Sequence, residues 1–205
     1  MFITLEGGEG AGKSTQIAAL ARLLERDGRR VVACREPGGT ALGERLRDAL
    51  FATTEDEPPP SPEAELLIFN AARAQLVRQV VRPALDAGAV VICDRYTGST
   101  VAYQHHGRGL PREVVDAANE AATGGLQPDL VVLLDLTPEQ GFERTGAGRD
   151  YLERGGIEFH RAVRRGFLEQ AAADPDRWLV LDATRPEMQI THAIHERVAA
   201  LLARV

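Results

Sequence analysis

A glycine-rich segment near the start of the chain constrains the fold more than any other part of the sequence. It reads EGGEGAGKST over residues 6–15, and its core matches G-x-x-x-x-G-K-[ST] from Gly7 to Ser14. The apolar run Phe2–Leu5 precedes it, and residues 13–27 after it have helical periodicity. In such a strand–loop–helix unit, backbone N–H groups and the helix N-terminus surround a phosphate. The segment therefore predicts a nucleoside triphosphate-binding loop, or P-loop.

The side chains of this loop have separate predicted tasks. Lys13 is expected to reach the β- and γ-phosphates, and the Ser14 hydroxyl to ligate Mg²⁺. Glu9 is unusual, because its carboxylate repels a nucleotide. It is either a solvated loop charge or a group with a second task, such as receiving a hydroxyl of another ligand. The residues predicted to bind the triphosphate are Gly7, Gly8, Glu9, Gly10, Ala11, Gly12, Lys13, Ser14 and Thr15.

The rest of the chain alternates short apolar runs with helical periodicity. This pattern predicts one α/β domain over residues 1–205, a doubly wound parallel sheet flanked by helices. The predicted strands are Phe2–Leu5, Val31–Cys34, Val90–Cys93, Leu130–Leu134 and Trp178–Leu181. The predicted helices are 13–27, 63–87 (with a kink or break at Pro83), 111–123, 138–145, 154–173 and 187–204.

Composition narrows the possible partners. Thirty acidic and 24 basic residues give a formal net charge of −6, which disfavours general binding to nucleic acid or a membrane surface. No apolar run approaches the roughly 18 residues needed to span a bilayer, and no signal peptide is evident. Cys34 and Cys93 lie in separate apolar runs, as expected of buried thiols. A cytoplasmic protein with no nucleic-acid or membrane partner is predicted.

Charged residues follow the second and third predicted strands. CDRYTGST (93–100) places Asp94 and Arg95 where strand ends meet at one edge of the sheet, and REPGGT (35–40) adds Arg35 and Glu36. Asp94 there is placed to act on Mg²⁺ through its water shell, and a guanidinium suits bidentate binding of phosphate. The alternative is a purely structural Asp–Arg pair.

An aromatic ring and further polar groups accompany these charges. In FNAARAQ, Phe69 and Arg73 share a helical face, so the ring can stack on a planar heterocycle whose edge the guanidinium contacts. Phe69 is otherwise a core residue. VAYQHHGRG (101–109) adds Tyr103 and Gln104 nearby. A second phosphate site beside a base-sized pocket indicates phosphoryl transfer to a nucleotide.

EGGEGAGKST, REPGGT, FNAARAQ and DRYTGSTVAYQHHGRG together resemble the bacterial thymidylate kinases, from about residue 2 to LDATRP (181–186). The resemblance implies transfer of the ATP γ-phosphate to dTMP, with Mg²⁺, giving ADP and dTDP. It also implies a five-stranded parallel sheet and a homodimer.

The resemblance also implies residue roles. Phe69 stacks on thymine, Arg73 contacts its edge and Gln104 lies near the base. Arg95 holds the dTMP phosphate, Tyr103 crowds the 2′ position and Glu9 contacts the 3′-hydroxyl. Asp94 belongs to the Mg²⁺ and catalytic region, while Arg144 packs on adenine beside LDATRP. The expected dTMP contacts are Glu9, Glu36, Phe69, Arg73, Arg95, Ser99, Tyr103 and Gln104.

The segment 146–156 is either an ordinary surface loop or a mobile lid. The family usually has an acid-Arg-x-Glu element there, whereas this chain reads Asp150-Tyr151-Leu152-Glu153. Arg149 or Arg154 is expected to supply the missing positive charge, with Arg149 preferred.

Three other functions are alternatives to this interpretation. A kinase for UMP, CMP or a broader pyrimidine set is the main alternative. A GTPase switch needs an N-K-x-D element, which does not occur in the sequence. A nucleic-acid-dependent ATPase rests only on HRAVRR (160–165), and charges spread around a helix more often mark a solvated face.

Overall fold

The computed structural model describes residues 1–51, 58–145 and 155–203. Its centre is a five-stranded, wholly parallel sheet in the order β2-β3-β1-β4-β5. The strands are β1 (Phe2–Glu6), β2 (Val31–Arg35), β3 (Val90–Asp94), β4 (Leu130–Asp135) and β5 (Trp178–Asp182). The predicted fold and all five strands are confirmed. Each strand extends one residue beyond its apolar run, and that last residue is charged.

Helices cover both faces of the sheet. They are α1 (Lys13–Arg26), α2 (Ala41–Phe51), α3 (Pro62–Leu76), α4 (Arg82–Asp86), α5 (Thr97–Thr100), α6 (Arg112–Thr123), α7 (Pro138–Thr145), α8 (Gly156–Ala173) and α9 (Glu187–Leu202). Two π-helical segments, Val77–Val81 and Val101–Gly107, continue α3 and α5. No helix in the described ranges is long and apolar enough to cross a membrane.

Strand β1 lies at the point where the strand order reverses, with β3 on one side and β4 on the other. All five of its residues are buried. Ile3 and Leu5 pack in one core cluster with residues of α1 and α9, while Phe2, on the opposite face, packs against the end of α3. A crevice at the carboxyl ends of the strands is expected at such a reversal, and it is where ligands bind in open α/β sheets.

Two predictions about helices were incomplete. The chain does not break at Pro83, because a π-helical turn precedes it and leads directly into α4. In this turn the Arg82 N–H donates to the carbonyl oxygen of Val77, five residues earlier. The helices α2 and 97–107 were not predicted. Both carry residues of the site described below.

Candidate active site

The P-loop, defined here as Gly7–Thr15, runs from the end of β1 into the first turn of α1. Gly7 and Gly10 have positive φ angles of 138° and 70°. A Cβ atom on Gly7 would lie 2.5 Å from the carbonyl oxygen of Leu134, and one on Gly10 would lie 2.7 Å from that of Gly141. Both positions therefore need glycine for two reasons, conformation and space.

Lys13 is the only lysine in the sequence and is 8% exposed. Its Nζ donates hydrogen bonds to the carbonyl oxygens of Gly7 (3.1 Å) and Gly8 (2.9 Å). Burial and the nearby charge of Arg95 lower the pKa of Lys13 to about 8, against the opposing effect of the carboxylates Glu9 and Asp94. The ammonium thus lies inside the loop, where a phosphate is its natural counter-ion.

Ser14 and Asp94 meet where α1 begins and β3 ends. The Ser14 hydroxyl donates to Asp94 Oδ2 at 3.1 Å. Asp94 Oδ1 is buried and has no hydrogen-bond partner among the described residues. Mg²⁺ prefers oxygen ligands and is usually held by one or two protein groups together with substrate phosphates. The pair fits a magnesium site.

A second cavity, of about 120 Å³, opens beside the P-loop and is called the acceptor cavity below. All eight residues predicted to bind dTMP border it. Its lining consists of Glu9, Glu36, Pro37, Arg47, Phe51, Phe69, Arg73, Arg95, Ser99, Thr100, Tyr103 and Gln104. The charged residue Arg35, by contrast, forms an exposed pair with Glu44 and does not border this cavity.

Arg95 links the acceptor cavity to the P-loop. Its Nη1 donates to the carbonyl oxygen of Gly7 and to the Ser99 hydroxyl, both at 3.1 Å, and its Nη2 donates to Glu9. Its guanidinium lies 5.1 Å from the centre of the Tyr103 ring. Burial favours the neutral form of Glu9, but the charges of Arg95 and Lys13 outweigh it and lower the pKa of Glu9 to about 2. Glu9 is therefore an ion-pair partner rather than a solvated loop charge.

Arg73 is held by a buried network of side chains and is 1% exposed. Its Nε and Nη2 donate to the Glu36 carboxylate at 2.6–3.1 Å, and its Nη1 donates to Asn70, Thr100 and Asn119. One Nη2 hydrogen has no acceptor in the part of the chain that the structure describes. Arg73 can therefore offer the cavity a single hydrogen bond from a rigidly held group.

Gln104 is also fixed from behind. Its Nε2 donates to Glu65 Oε1 at 2.6 Å, and Glu65, which is completely buried, also accepts from Arg108. Since a carboxylate only accepts hydrogen bonds, this contact determines which end of the amide faces Glu65. The carbonyl oxygen of Gln104 remains as an acceptor.

Of the remaining predicted site residues, only Arg144 lies in a described part of the chain. Arg144, in the last turn of α7, donates to the carbonyl oxygens of Gly10 (3.2 Å) and Ala183 (3.1 Å). It thus connects the P-loop with the LDATRP segment, where adenine was expected. Arg149, Arg154 and residues 146–154 of the predicted lid lie outside the described residues.

Sequence reasoning missed several residues of the site. Arg47 and Phe51 border the cavity from α2, with the Arg47 guanidinium 4.8 Å from the Phe51 ring centre. Glu6, Glu65 and Asn119 lie behind the cavity, each hydrogen-bonded to a residue that borders it. The signal available for them was weak. A polar residue in a predicted strand or helix does not reveal its partner.

The chain is similar to known proteins over nearly its whole length. A family model described as Thymidylate kinase matches residues 5–194. A thymidylate kinase of Synechococcus sp. (strain JA-3-3Ab) is 53% identical over 194 residues, covering 95% of this chain and 93% of the relative. One from Deinococcus radiodurans is 48% identical, with 97% and 96% covered. One from Pseudomonas fluorescens (strain SBW25) is 48% identical, with 100% and 97% covered.

Proposed function

The chain belongs to the thymidylate kinase family, as its motifs predicted, and on that premise we propose that it phosphorylates dTMP with ATP. An oxygen of the dTMP phosphate attacks the γ-phosphorus of ATP as the bond to the bridging β,γ-oxygen breaks. The products are dTDP and ADP. The observation that carries this proposal is the acceptor cavity, because all eight expected dTMP contacts border it beside the P-loop.

The chemistry of the acceptor cavity supports thymine over cytosine. Thymine presents a carbonyl oxygen at C4 and an N–H at N3, and cytosine presents an amino group and a bare nitrogen there. Arg73 has a donor available, and Gln104 has an acceptor. This donor–acceptor order matches thymine and leaves a cytosine edge with two mismatched contacts. Uracil has the same order, so dUMP remains the nearest competitor.

The charges of the site suit in-line transfer. Arg95 orients the acceptor phosphate, which supplies proximity and alignment. Lys13 stabilises charge on the transferred group. Ser14 and Asp94 would hold Mg²⁺, which neutralises phosphate charge when it is bound. Glu9, fixed by Arg95, is proposed to receive the 3′-hydroxyl of the acceptor sugar, and Tyr103 is proposed to close its 2′ position.

We also propose that an arginine of the lid (residues 146–156) stabilises charge on the transferred phosphoryl group. The P-loop has no arginine, so we assign this role to Arg149, with Arg154 as the alternative. Loss of the correct arginine is expected to lower kcat about 10³-fold. Comparing Arg149→Ala with Arg154→Ala identifies it. Equal, small effects of both would contradict the assignment.

We further propose a homodimer in the cytoplasm. Leu42, Leu67 and Val114 are large apolar side chains exposed on α2, α3 and α6, and these helices pack side by side. Sedimentation of Leu67→Lys should show a monomer, and Met188→Lys, an equally exposed site on α9, should remain dimeric. A dimeric Leu67→Lys would refute the proposal that this face forms the dimer.

The two cysteines bear on the cytoplasmic location. Cys34 and Cys93 are free thiols paired in register on β2 and β3, as expected of a protein in a reducing compartment.

The function is tested by ADP release in the presence of ATP and Mg²⁺ with dTMP, dUMP, UMP, CMP or AMP as the acceptor. Turnover should be greatest with dTMP and lowest without an acceptor. Equal ADP release in the absence of any acceptor would rule out the kinase. Greater turnover with UMP or CMP would rule out the assigned substrate.

A further inference from the structure

Glu6, the last residue of β1, is a carboxylate with no exposed surface. Its Oε1 accepts a hydrogen bond from the backbone N–H of Tyr96 at 2.9 Å, and its Oε2 accepts one from the Ser99 hydroxyl at 2.5 Å. Within the described ranges, no arginine or lysine forms an ion pair with it. Burying an acid whose only partners are a backbone amide and a serine costs free energy, so its position calls for a functional explanation.

Both contacts bear on Arg95. Among the described residues, Arg95 is the only one other than glycine with a positive φ, at 70°. This conformation is unfavourable for a side chain with a Cβ, and at functional sites it persists only when the surroundings impose it. The Arg95 N–H donates to Leu5 O at 3.0 Å, and the next N–H, that of Tyr96, donates to Glu6. Two consecutive residues of β1 thus hold the amides on either side of the Arg95 Cα.

The second contact reaches the Arg95 side chain. A serine hydroxyl has one hydrogen, and in Ser99 this hydrogen is directed to Glu6. The Ser99 oxygen is then free to accept from Arg95 Nη1 at 3.1 Å. The close approach depends on Gly98, since a Cβ there would lie 3.0 Å from Glu6 Oε1 and 3.1 Å from the Trp178 ring.

On the basis of the proposed function, we infer that Glu6 is a positioning residue for the acceptor phosphate. From behind the acceptor cavity, its carboxylate fixes the backbone of Arg95 and the hydroxyl of Ser99, and it thereby sets where the Arg95 guanidinium meets the phosphate. Burial raises the pKa of Glu6 to about 7, against the Ser99 hydrogen bond and the charges of Arg95 and Arg73. Lys13 is a further cation whose charge acts on Glu6.

The substitution Glu6→Gln tests this inference, because it keeps the size of the side chain but presents an amide N–H₂ to Ser99. The Ser99 oxygen must then accept from that amide, and its hydrogen is directed elsewhere. At pH 8, where Glu6 is ionised and accepts the Ser99 hydrogen, the KM for dTMP should rise about tenfold, with the KM for ATP changed less than twofold. Thymidine lacks the phosphate, so its inhibition constant against dTMP should stay within twofold. Thr4→Val, a buried position two residues earlier on the same face of β1, is the matched control and should leave all three constants unchanged.

Coupling to Ser99 gives an independent readout. Ser99→Ala should also raise the KM for dTMP, and adding Glu6→Gln to it should cause less than a further twofold change. If Glu6→Gln does not fold, Glu6→Asp, which withdraws the carboxylate by one methylene, should raise the same KM severalfold.

Three results would overturn the inference: an unchanged KM for dTMP, an equal rise in both KM values, or effects of Glu6→Gln and Ser99→Ala that multiply. If Glu6→Gln does not fold, an unchanged KM for dTMP in Glu6→Asp would overturn it equally. A chain that releases ADP with dTMP but fails these tests refutes only the role of Glu6. A chain that shows no dTMP-dependent ADP release refutes the proposed function itself.

Discussion

The P-loop and the acceptor cavity both suit phosphate groups, but they are constructed differently. The P-loop is one contiguous segment whose shape comes from backbone conformation, with glycines at φ angles of 138° and 70°. The acceptor cavity shares Glu9 with the P-loop, but its other bordering side chains come from α2, α3, the ends of β2 and β3 and the helical segment 97–107. One site therefore depends on a local motif and the other on tertiary contacts. Substitutions should affect them differently.

The largest expected effect belongs to the P-loop and should involve activity alone. Lys13→Met removes the donor that we propose reaches the transferred phosphate, so kcat/KM should fall about 10³-fold. Stability should change by less than about 1 kcal/mol, because burial already disfavours this ammonium. Steady-state kinetics and urea unfolding measure the two effects. Arg26→Ala, at an exposed site on the same helix, is the control. A strongly destabilised Lys13→Met would contradict the difference proposed between the P-loop and the acceptor cavity.

The acceptor cavity should lose stability as well as activity. Glu36→Gln leaves Arg73 charged and buried without its ion-pair partner, which should reduce the free energy of unfolding by about 3–5 kcal/mol. Asp116→Asn breaks an exposed pair with Arg112 and should cost less than about 1 kcal/mol. Both are measured by urea unfolding at pH 7. Similar losses in the two variants would remove the distinction between the buried and exposed pairs.

A third effect is the pH dependence of stability that comes from Glu6, the residue at the end of β1 behind the acceptor cavity. Its pKa in the folded state is about 7, against about 4.5 when unfolded, so the folded state binds the extra proton between these values. The stability from this group is fully present below pH 4.5 and is lost as pH rises through 7, by about 3 kcal/mol. Unfolding at pH 4.5 and pH 8 should therefore show a larger decline in the unsubstituted protein than in Glu6→Gln. Equal declines would mean that Glu6 ionises normally.

The same contrast explains what the sequence could predict. The P-loop and all five strands were identified because their signals are local: fixed spacing in one and continuous apolar runs in the other. The eight residues expected around dTMP were named through motifs, and they do border one cavity. The residues behind them were not named. Glu6 looked like the first residue of the loop, and Glu65 and Asn119 looked like polar positions on helices. Their partners lie 93, 39 and 46 residues away in the chain, and such pairings follow only from the tertiary structure.

The smallest expected effect tests whether the residues behind the acceptor cavity contribute to selectivity for the base. Glu65→Gln replaces an obligatory acceptor with an amide, so Gln104 is no longer forced to direct its Nε2 away from the base. The preference for dTMP over dCMP, measured as the ratio of kcat/KM values, should fall about tenfold, within the range of one mispaired base contact. Glu63→Gln, an exposed site two residues earlier on α3, should keep the preference of the unsubstituted protein. An unchanged preference in Glu65→Gln would mean that the residues lining the acceptor cavity select the base without any contribution from Glu65. The acceptor cavity would then resemble the P-loop, in which the contacting atoms themselves carry the specificity.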